Sequence, residues 1–470
     1  MSALDVSPEE FQSLAARVTD LATRFLADLP TLPSYPNVSG QQTRERFGAP
    51  LPESGLKGAA LEMLEDVVAM IRPPSPRFYG YVLGSGEPVA ALGDLLASIL
   101  NQNVTAWRSS PAAVAIEKQV IAWLAAAVGC SGFDGSLCGG ASAANLMALA
   151  MARDAKLPAA EDGARAAIVY ASTEAHMSIP KAVALLGLGR QNLHLVPCDG
   201  SWRLNVGALQ AAIEKDIAAG RNPIAVVATA GTVNTGAIDP LESIAAVCRQ
   251  HNLWLHIDGA YGALAALASP DRLRGLAHAD SLSLDPHKWL YQPVDCSALL
   301  YKSAAAARAA FSQTGEYARS FGSDPIETFA FFEESMELSR RFRALKLWLS
   351  LRYHGAEAFR MAIRADLQHA ADLARSIRDS ADLELLAPVE LSAVCFRYRG
   401  GVVESELNAV NAAILKRLIE RSRIYLSNAS IAGRFALRAC FVNHRTTDAD
   451  VAEIVPEVLA ASRDVLGTAR

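Results

Sequence analysis

Four short segments of this chain carry residue types able to do chemistry, and each stands at the end of a run that reads as an ordered element. Lys288 lies in Asp285-Pro286-His287-Lys288-Trp289, directly after the apolar run Ser281-Leu282-Ser283-Leu284. Apolar surroundings disfavour an ammonium and leave an amine able to attack a carbonyl carbon. The ordinary alternative is a lysine whose stem covers apolar surface while its head reaches water. Asp258 follows the run Leu253–Ile257, in His256-Ile257-Asp258-Gly259-Ala260-Tyr261. A carboxylate there can pair with a protonated ring nitrogen, or it can cap a turn. Gly139-Gly140-Ala141-Ser142 opens an apolar helical stretch, Leu146 to Ala152. Small residues at a helix N-terminus let backbone N–H groups approach an anion, and Ser142 adds a hydroxyl; alone, such a loop is only a tight turn. His176, a little beyond Tyr170, offers a planar ring able to lie against another, although a lone histidine is more often a loop residue. Taken together, the four describe a pocket for a phosphorylated aldehyde on a pyridine ring.

The elements that must position these residues follow from the periodicity. Ala166–Tyr170, Leu193–Val196, Ile224–Ala228, Leu253–Ile257 and Ser281–Leu284 read as buried strands, with helices at Val206–Ala219 and Pro240–His251 between them. Continuous apolar strands alternating with helices indicate an α/β fold with a mostly parallel sheet covered on both faces. Ligands bind beyond the carboxyl ends of such strands, which is where Asp258 and Lys288 stand. Ahead of this region, Ser7-Pro8-Glu9-Glu10 fits a helix start, and Phe11, Leu14, Val18, Leu21 and Phe25 form one apolar stripe ending before Pro30. A Pro/Gly/Ser-rich connector, Leu29 to Gly55, leads to a second amphipathic helix, Leu56 to Ile71. Such an arm has little core of its own and is expected to pack on another domain or subunit. The last part predicts helices at Ala356–Ser380, Glu404–Arg421 and Asp448–Leu466 and strands at Ala393–Tyr398 and Phe435–Cys440. The division expected is an arm over 1–84, a large domain over 85–353 and a small α+β domain over 354–470.

The 470 residues carry 44 Lys+Arg against 49 Asp+Glu, a formal charge of −5. No broad positive field is available to nucleic acid. Seven scattered cysteines without CxxC spacing argue against a disulfide framework or a zinc site, and no metal is expected. Met1-Ser2-Ala3-Leu4-Asp5 does not read as a signal peptide, and no stretch reads as a membrane span. The expectation is a soluble, cytoplasmic protein.

The order phosphate loop, histidine, aspartate, lysine resembles the group II pyridoxal-phosphate (PLP) decarboxylases, which include aromatic-amino-acid, histidine and glutamate decarboxylases. The resemblance rests on HIDGAY (256–261) and DPHKWL (285–290), with DCSAL (295–299) and RRFRALKLW (340–348) downstream, and it runs from Phe11 to Leu466. It implies PLP fold type I, the aspartate-aminotransferase-like fold: a mostly parallel seven-stranded sheet, a helical arm embracing a partner, and a homodimer with its active site at the interface. It implies that Lys288 holds PLP as a Schiff base, that Asp258 pairs with the ring nitrogen, that Ala260 packs on the ring and that His176 stacks on its other face and assists protonation. Gly140, Ala141 and Ser142 would cradle the phosphate, with Thr232 and His287 as further cofactor contacts. Arg438 resembles the arginine that some members use for a substrate carboxylate, with Arg434 and Arg445 as nearby contenders. The implied activity is decarboxylation of an L-amino acid to an amine and carbon dioxide.

Three places depart from the family pattern. The loop tyrosine that protonates the product carbon in family members falls at Phe331, while Tyr317 lies in the same broad loop out of register. Members with that change include aldehyde synthases, so decarboxylation with oxidative deamination to an aldehyde is the alternative product, and a PLP lyase or aldolase on the same scaffold is another. Asn103 and Thr105 stand where aromatic-specific members carry bulky apolar residues, while Phe78, Tyr79 and Tyr81 keep an aromatic wall, so the pocket is expected to favour a polar or smaller side chain, or an aromatic bearing hydroxyls. Asp285 stands where many members have an asparagine near the phosphate, an awkward place for a carboxylate unless it faces away or accepts from backbone donors.

Overall fold

Two apolar cores lie on opposite faces of one sheet, because successive residues of each central strand point opposite ways. In the computed structural model, which describes residues 4–159, 163–313 and 324–467, the sheet has seven strands. They are β1 (Asp134–Cys138), β2 (Ile168–Ser172), β3 (Leu193–Val196), β4 (Pro223–Thr229), β5 (Trp254–Asp258), β6 (Ser281–Leu284) and β7 (Ser297–Tyr301). Their spatial order is β1-β7-β6-β5-β4-β2-β3. Strand β7 runs antiparallel to both its neighbours, and the remaining pairs are parallel. In β4, Val226 and Ala228 enter one core with Leu255, Ile257, Leu282 and Leu284. Ala225 and Val227 enter the other, with Met147, Leu149 and Met151 of the helix Ala141–Lys156. The strands β2, β5 and β6 are buried along their whole length, as a sheet covered on both faces requires.

The expected strands appear within a residue or two of their predicted places. The strands β1 and β7 are additional, and Asp134-Gly135-Ser136-Leu137-Cys138 carries too little apolar periodicity to declare itself. A second sheet, β10-β11-β9-β8, is antiparallel and comprises β8 (Leu383–Leu385), β9 (Ala393–Tyr398), β10 (Ser427–Ile431) and β11 (Arg434–Cys440). It packs on helices Leu407–Arg421 and Ile454–Gly467 through Phe396, Leu437, Ile414 and Val458. Residues Ala344–Asp379 form two helical pieces joined at Gly355, whose φ of 73° no helix interior adopts. The second piece thus begins at Ala356, as predicted.

The N-terminal segment differs from its expectation in two places. The connector contains a helix, Gly40–Phe47, started by a reciprocal capping box between Ser39 and Gln42. The second arm helix is divided into a 3-10 stretch, Lys57–Glu62, and an α-helix, Met63–Met70. The Gly58 carbonyl there accepts from Arg17 Nη1 at 2.8 Å. Helix Pro8–Asp28 buries no residue, and Phe11 and Val18 of its stripe are exposed. No helix among the described residues is long and apolar enough to cross a membrane.

Candidate active site

Strands β1, β2, β4, β5 and β6 end on the same side of the sheet, and a cavity of about 490 Å³ opens there. The helix Ala141–Lys156 begins at its wall, with Gly140 at φ 124° as the preceding residue, a conformation that favours glycine. Gly140, Ala141 and Ser142 all line the cavity. The first backbone N–H groups of a helix have no partners within it and carry the positive end of its dipole, so this wall suits an anion.

Asp258, the last residue of β5, is buried. Its Oδ2 accepts from Asn145 Nδ2 at 2.9 Å, and its Oδ1 accepts from Ser283 Oγ and the Ala260 backbone N–H at 3.2 Å each. The carboxylate is therefore oriented by one contact from the helix, one from β6 and one from its own turn. Both Asp258 and Ala260 face the cavity.

Lys288 sits in the single helical turn Pro286–Trp289 after β6. Its Nζ lies 2.9 Å from Asp285 Oδ2. Asp285 also accepts from Ser297 Oγ, and its Oδ2 is 3.6 Å from His287 Nε2. His287 Nδ1 lies 2.8 Å from the Cys296 carbonyl oxygen, and burial holds its imidazole below the ordinary value. The awkward carboxylate is thus turned to the lysine.

His176 lines the cavity beyond β2. The Ser178 backbone N–H donates to His176 Nδ1 at 3.2 Å. A backbone N–H can only donate, so Nδ1 is the acceptor and the ring proton sits on Nε2. Burial lowers the imidazole's pKa further, which favours the neutral ring.

Arg438, on β11, reaches the cavity from the small sheet. It is 3 % exposed. Its Nε donates to the Asn234 carbonyl and its Nη1 to the Tyr81 carbonyl, each at 2.9 Å. Its Nη2 is buried and has no partner in the protein. A buried guanidinium nitrogen left over in this way calls for an acceptor from outside the chain. Of the contenders, Arg445 is committed to the Ser85 and Gly86 carbonyls at 2.9 Å.

Several predicted site residues are not brought to the cavity. Thr232 turns its hydroxyl inward to Thr235 Oγ1 at 2.9 Å and to the Ala237 N–H. Thr229 lines the cavity instead, beside Asp258 in register, with its buried Oγ1 unpartnered. Tyr81 is on the wall, but Phe78 stacks on Tyr425 at 4.5 Å, and Tyr79 donates to the Asp450 carbonyl inside the C-terminal core. Asn103 is spent on the Arg340 N–H, and the Thr105 carbonyl accepts from Phe332 N. Phe331 is fully buried under the Arg340 guanidinium, 4.1 Å from its ring centroid. Tyr317 lies outside the described residues.

The donor set fits PLP: an amine for its aldehyde, a carboxylate for its ring nitrogen, a small-residue helix start for its phosphate and an orphaned buried hydroxyl at Thr229. Among the described residues there is no cluster of metal-ligating groups. Comparison with known proteins agrees. Residues 59–399 match the family model of the pyridoxal-dependent decarboxylase conserved domain. An aromatic-L-amino-acid decarboxylase of Bacillus atrophaeus is 33% identical over 98% of this chain and 97% of its own. A phenylacetaldehyde synthase of Petunia hybrida is 30% identical over 92% and 90%. The crystal structure of Oryza sativa TDC with PLP and tryptamine superposes with a TM-score of 0.92, at 27% identity and 99% coverage of both chains.

Proposed function

This chain belongs to the pyridoxal-dependent decarboxylase family and is a PLP-dependent amino-acid carboxy-lyase, and from that premise we propose that its substrate is an L-amino acid with a neutral, aromatic side chain. The observation that carries the proposal is the charge inventory of the cavity. Lys288 and Asp285 answer each other, Asp258 answers the ring nitrogen, and Arg438 retains one free donor for one carboxylate. No second cation on the described wall remains for an acidic side chain, and no second carboxylate for a basic one. Tyr81, Val82, Met177 and Val233 offer the apolar part of the wall, and the Bacillus relative acts on aromatic amino acids.

Bound PLP supplies the electron sink for the pair left behind when carbon dioxide departs. Lys288 would hold PLP through its aldehyde carbon, its amine being the nucleophile suited to that bond. Asp258, fixed from three sides, holds the proton on the ring nitrogen. The first turn of Ala141–Lys156 anchors the phosphate. Arg438 Nη2 is free to take the substrate carboxylate, and His176, on the cavity wall, is placed to exchange a proton with the reacting carbon.

The proposal extends to a cytoplasmic homodimer. Its support is the exposed apolar face of the arm and that of helix Pro88–Leu100, where Leu92, Leu95, Leu96 and Ile99 are exposed. The seven cysteines are all free, as a reducing compartment favours.

The test is an amino-acid panel on purified holoenzyme, with carbon dioxide, amine, aldehyde and hydrogen peroxide measured together. Aromatic substrates giving amine and carbon dioxide in equal amounts are expected. Preference for glutamate or lysine would overturn the substrate class, and peroxide in proportion to carbon dioxide would move the product to the aldehyde. Lys288→Ala is expected to abolish the visible absorbance of bound PLP.

A further inference from the structure

A single amide stands between the two groups assigned to the ring nitrogen and to the cavity proton. Trp254, His256 and Asp258 alternate along β5 and so share one face, with Ser281 and Ser283 beside them in register on β6. The helix Ala141–Lys156 lies over that face and contributes Asn145, which is wholly buried. Asn145 Oδ1 lies 2.9 Å from His256 Nε2, and its Nδ2 lies 2.9 Å from Asp258 Oδ2 and 3.0 Å from Ser178 Oγ.

The direction of the bonds at Asn145 follows from the carboxylate end of this chain, while His256 Nδ1 has both the hydroxyl and the carbonyl oxygen of Ser281 in reach, the carbonyl at 3.2 Å. An indole N–H can only donate, and Trp254 Nε1 donates to Ser281 Oγ at 2.9 Å. Ser281 Oγ in turn lies 3.0 Å from His256 Nδ1, so its own hydrogen is free to go there. At the other end a carboxylate can only accept, which obliges Asn145 to present its NH2 to Asp258 and its oxygen to His256. Burial pushes the His256 imidazole down to about 4, so the ring is neutral, and the Asn145 oxygen 2.9 Å away draws its proton to Nε2. Along the side branch, Ser178 Oγ accepts from Asn145 and lies 2.9 Å from His176 Nδ1, which was shown above to be an acceptor. Every donor on the path therefore points towards the cavity.

We propose that Asn145 is a positioning residue for the reaction: one amide hydrogen holds Asp258, the other holds His176 through Ser178, and His256 fixes which way the amide faces. This rests on the roles given above to Asp258 and His176. It links the ring-nitrogen carboxylate and the imidazole through one side chain, so displacing that amide loosens both.

The test uses Asn145→Leu, which keeps the volume and removes both bonds, and Ser178→Ala, which cuts only the branch to His176. The first readout, taken without substrate, is the PLP dissociation constant together with the pH midpoint of the bound cofactor's visible band. Asn145→Leu is expected to weaken PLP roughly ten- to hundredfold, the scale of a lost hydrogen bond to a charged group, and to move the midpoint. Ser178→Ala is expected to leave PLP affinity within about twofold and to lower kcat with KM unchanged, since its bond serves an orienting contact of modest strength. An Asn145→Leu protein with wild-type PLP affinity and midpoint would overturn the proposal. Should that variant fail to fold, wild-type kcat in Ser178→Ala overturns it instead. A wrong substrate assignment moves neither cofactor readout, and a wrong cofactor assignment shows as no visible band in the wild type.

Discussion

Replacing Phe331 by tyrosine separates two accounts of how this protein finishes its reaction. If the ring stood in the cavity, a phenolic hydroxyl would restore a proton donor and suppress any aldehyde. In the structure the ring is 0 % exposed, in the turn Phe331–Glu333, edge-on to Phe329 at 4.8 Å and beneath Arg340. The added oxygen would enter a packed site where Arg340 already serves the Val104 and Leu137 carbonyls and Glu117. A buried hydroxyl without a partner costs about 1–3 kcal/mol on protein mutational scales, while the cation–π contact survives because the ring remains. Phe331→Tyr is therefore expected to lose that much stability in urea unfolding, read at one fixed protein concentration so that any assembly contributes equally. The ratio of amine to carbon dioxide is expected to stay as in the wild type. A variant of undiminished stability whose aldehyde or peroxide output changes would refute the placement of Phe331 and return it to the site.

The Arg340–Glu117 ion pair is buried on both sides, so Glu117→Leu leaves a guanidinium without its carboxylate and is expected to cost about 3–5 kcal/mol; Glu117→Leu with Arg340→Met is expected to recover part of it, again by urea unfolding. Arg438→Lys keeps the charge but loses the fork, and is expected to raise KM about tenfold or more with PLP affinity unchanged, measured by steady-state kinetics and cofactor titration. Burial raises the Asp366 carboxyl from 3.8 to about 7, although Tyr291 donates to it at 2.8 Å. The folded state thus keeps a proton that the unfolded chain gives up, and this group's contribution makes stability fall as pH rises from about 4 to about 7. Asp366→Asn is expected to flatten that part of the stability–pH curve and to stabilise the protein above pH 7, by urea unfolding across the range.

The parallel sheet was legible because its central strands are apolar on both faces, a pattern that a solvent-facing strand cannot show. The strands β1 and β7 escaped for the converse reason: Asp134-Gly135-Ser136 and Cys296-Ser297-Ala298 are small and weakly patterned, and they are held by pairing with each other and with β6. The Ser39–Gln42 capping box was a local signal of the kind already read at Ser7, and the Pro/Gly/Ser composition around it hid the short helix. Thr229 and Thr232 show where motif spacing runs out. Thr229 ends β4 and Thr232 lies in the turn that follows, and only the register of β4 against β5, which pairs Thr229 with Asp258, decides which hydroxyl faces the cavity. The aromatic residues are divided for a similar reason, because Phe78, Tyr79 and Tyr81 diverge towards Tyr425, the C-terminal core and the cavity, respectively.

Asp285 shows how a local reading and a three-dimensional one can disagree about the same charge. Judged against a phosphate, a carboxylate beside the lysine is a misfit. Yet Pro286–Trp289 forms a single helical turn, and residues three apart on a helical turn face the same way. The spacing from Asp285 to Lys288 therefore already placed the carboxylate beside the amine. Its second oxygen is taken by Ser297 from β7, a strand the sequence did not reveal. Without that strand the carboxylate had no evident anchor to hold it at the amine, and facing away or accepting from backbone donors stood as its alternatives to the phosphate. The correction thus depends on β7 lying between β1 and β6: the antiparallel strand that breaks the sheet's direction also supplies the serine that fixes the carboxylate next to Lys288.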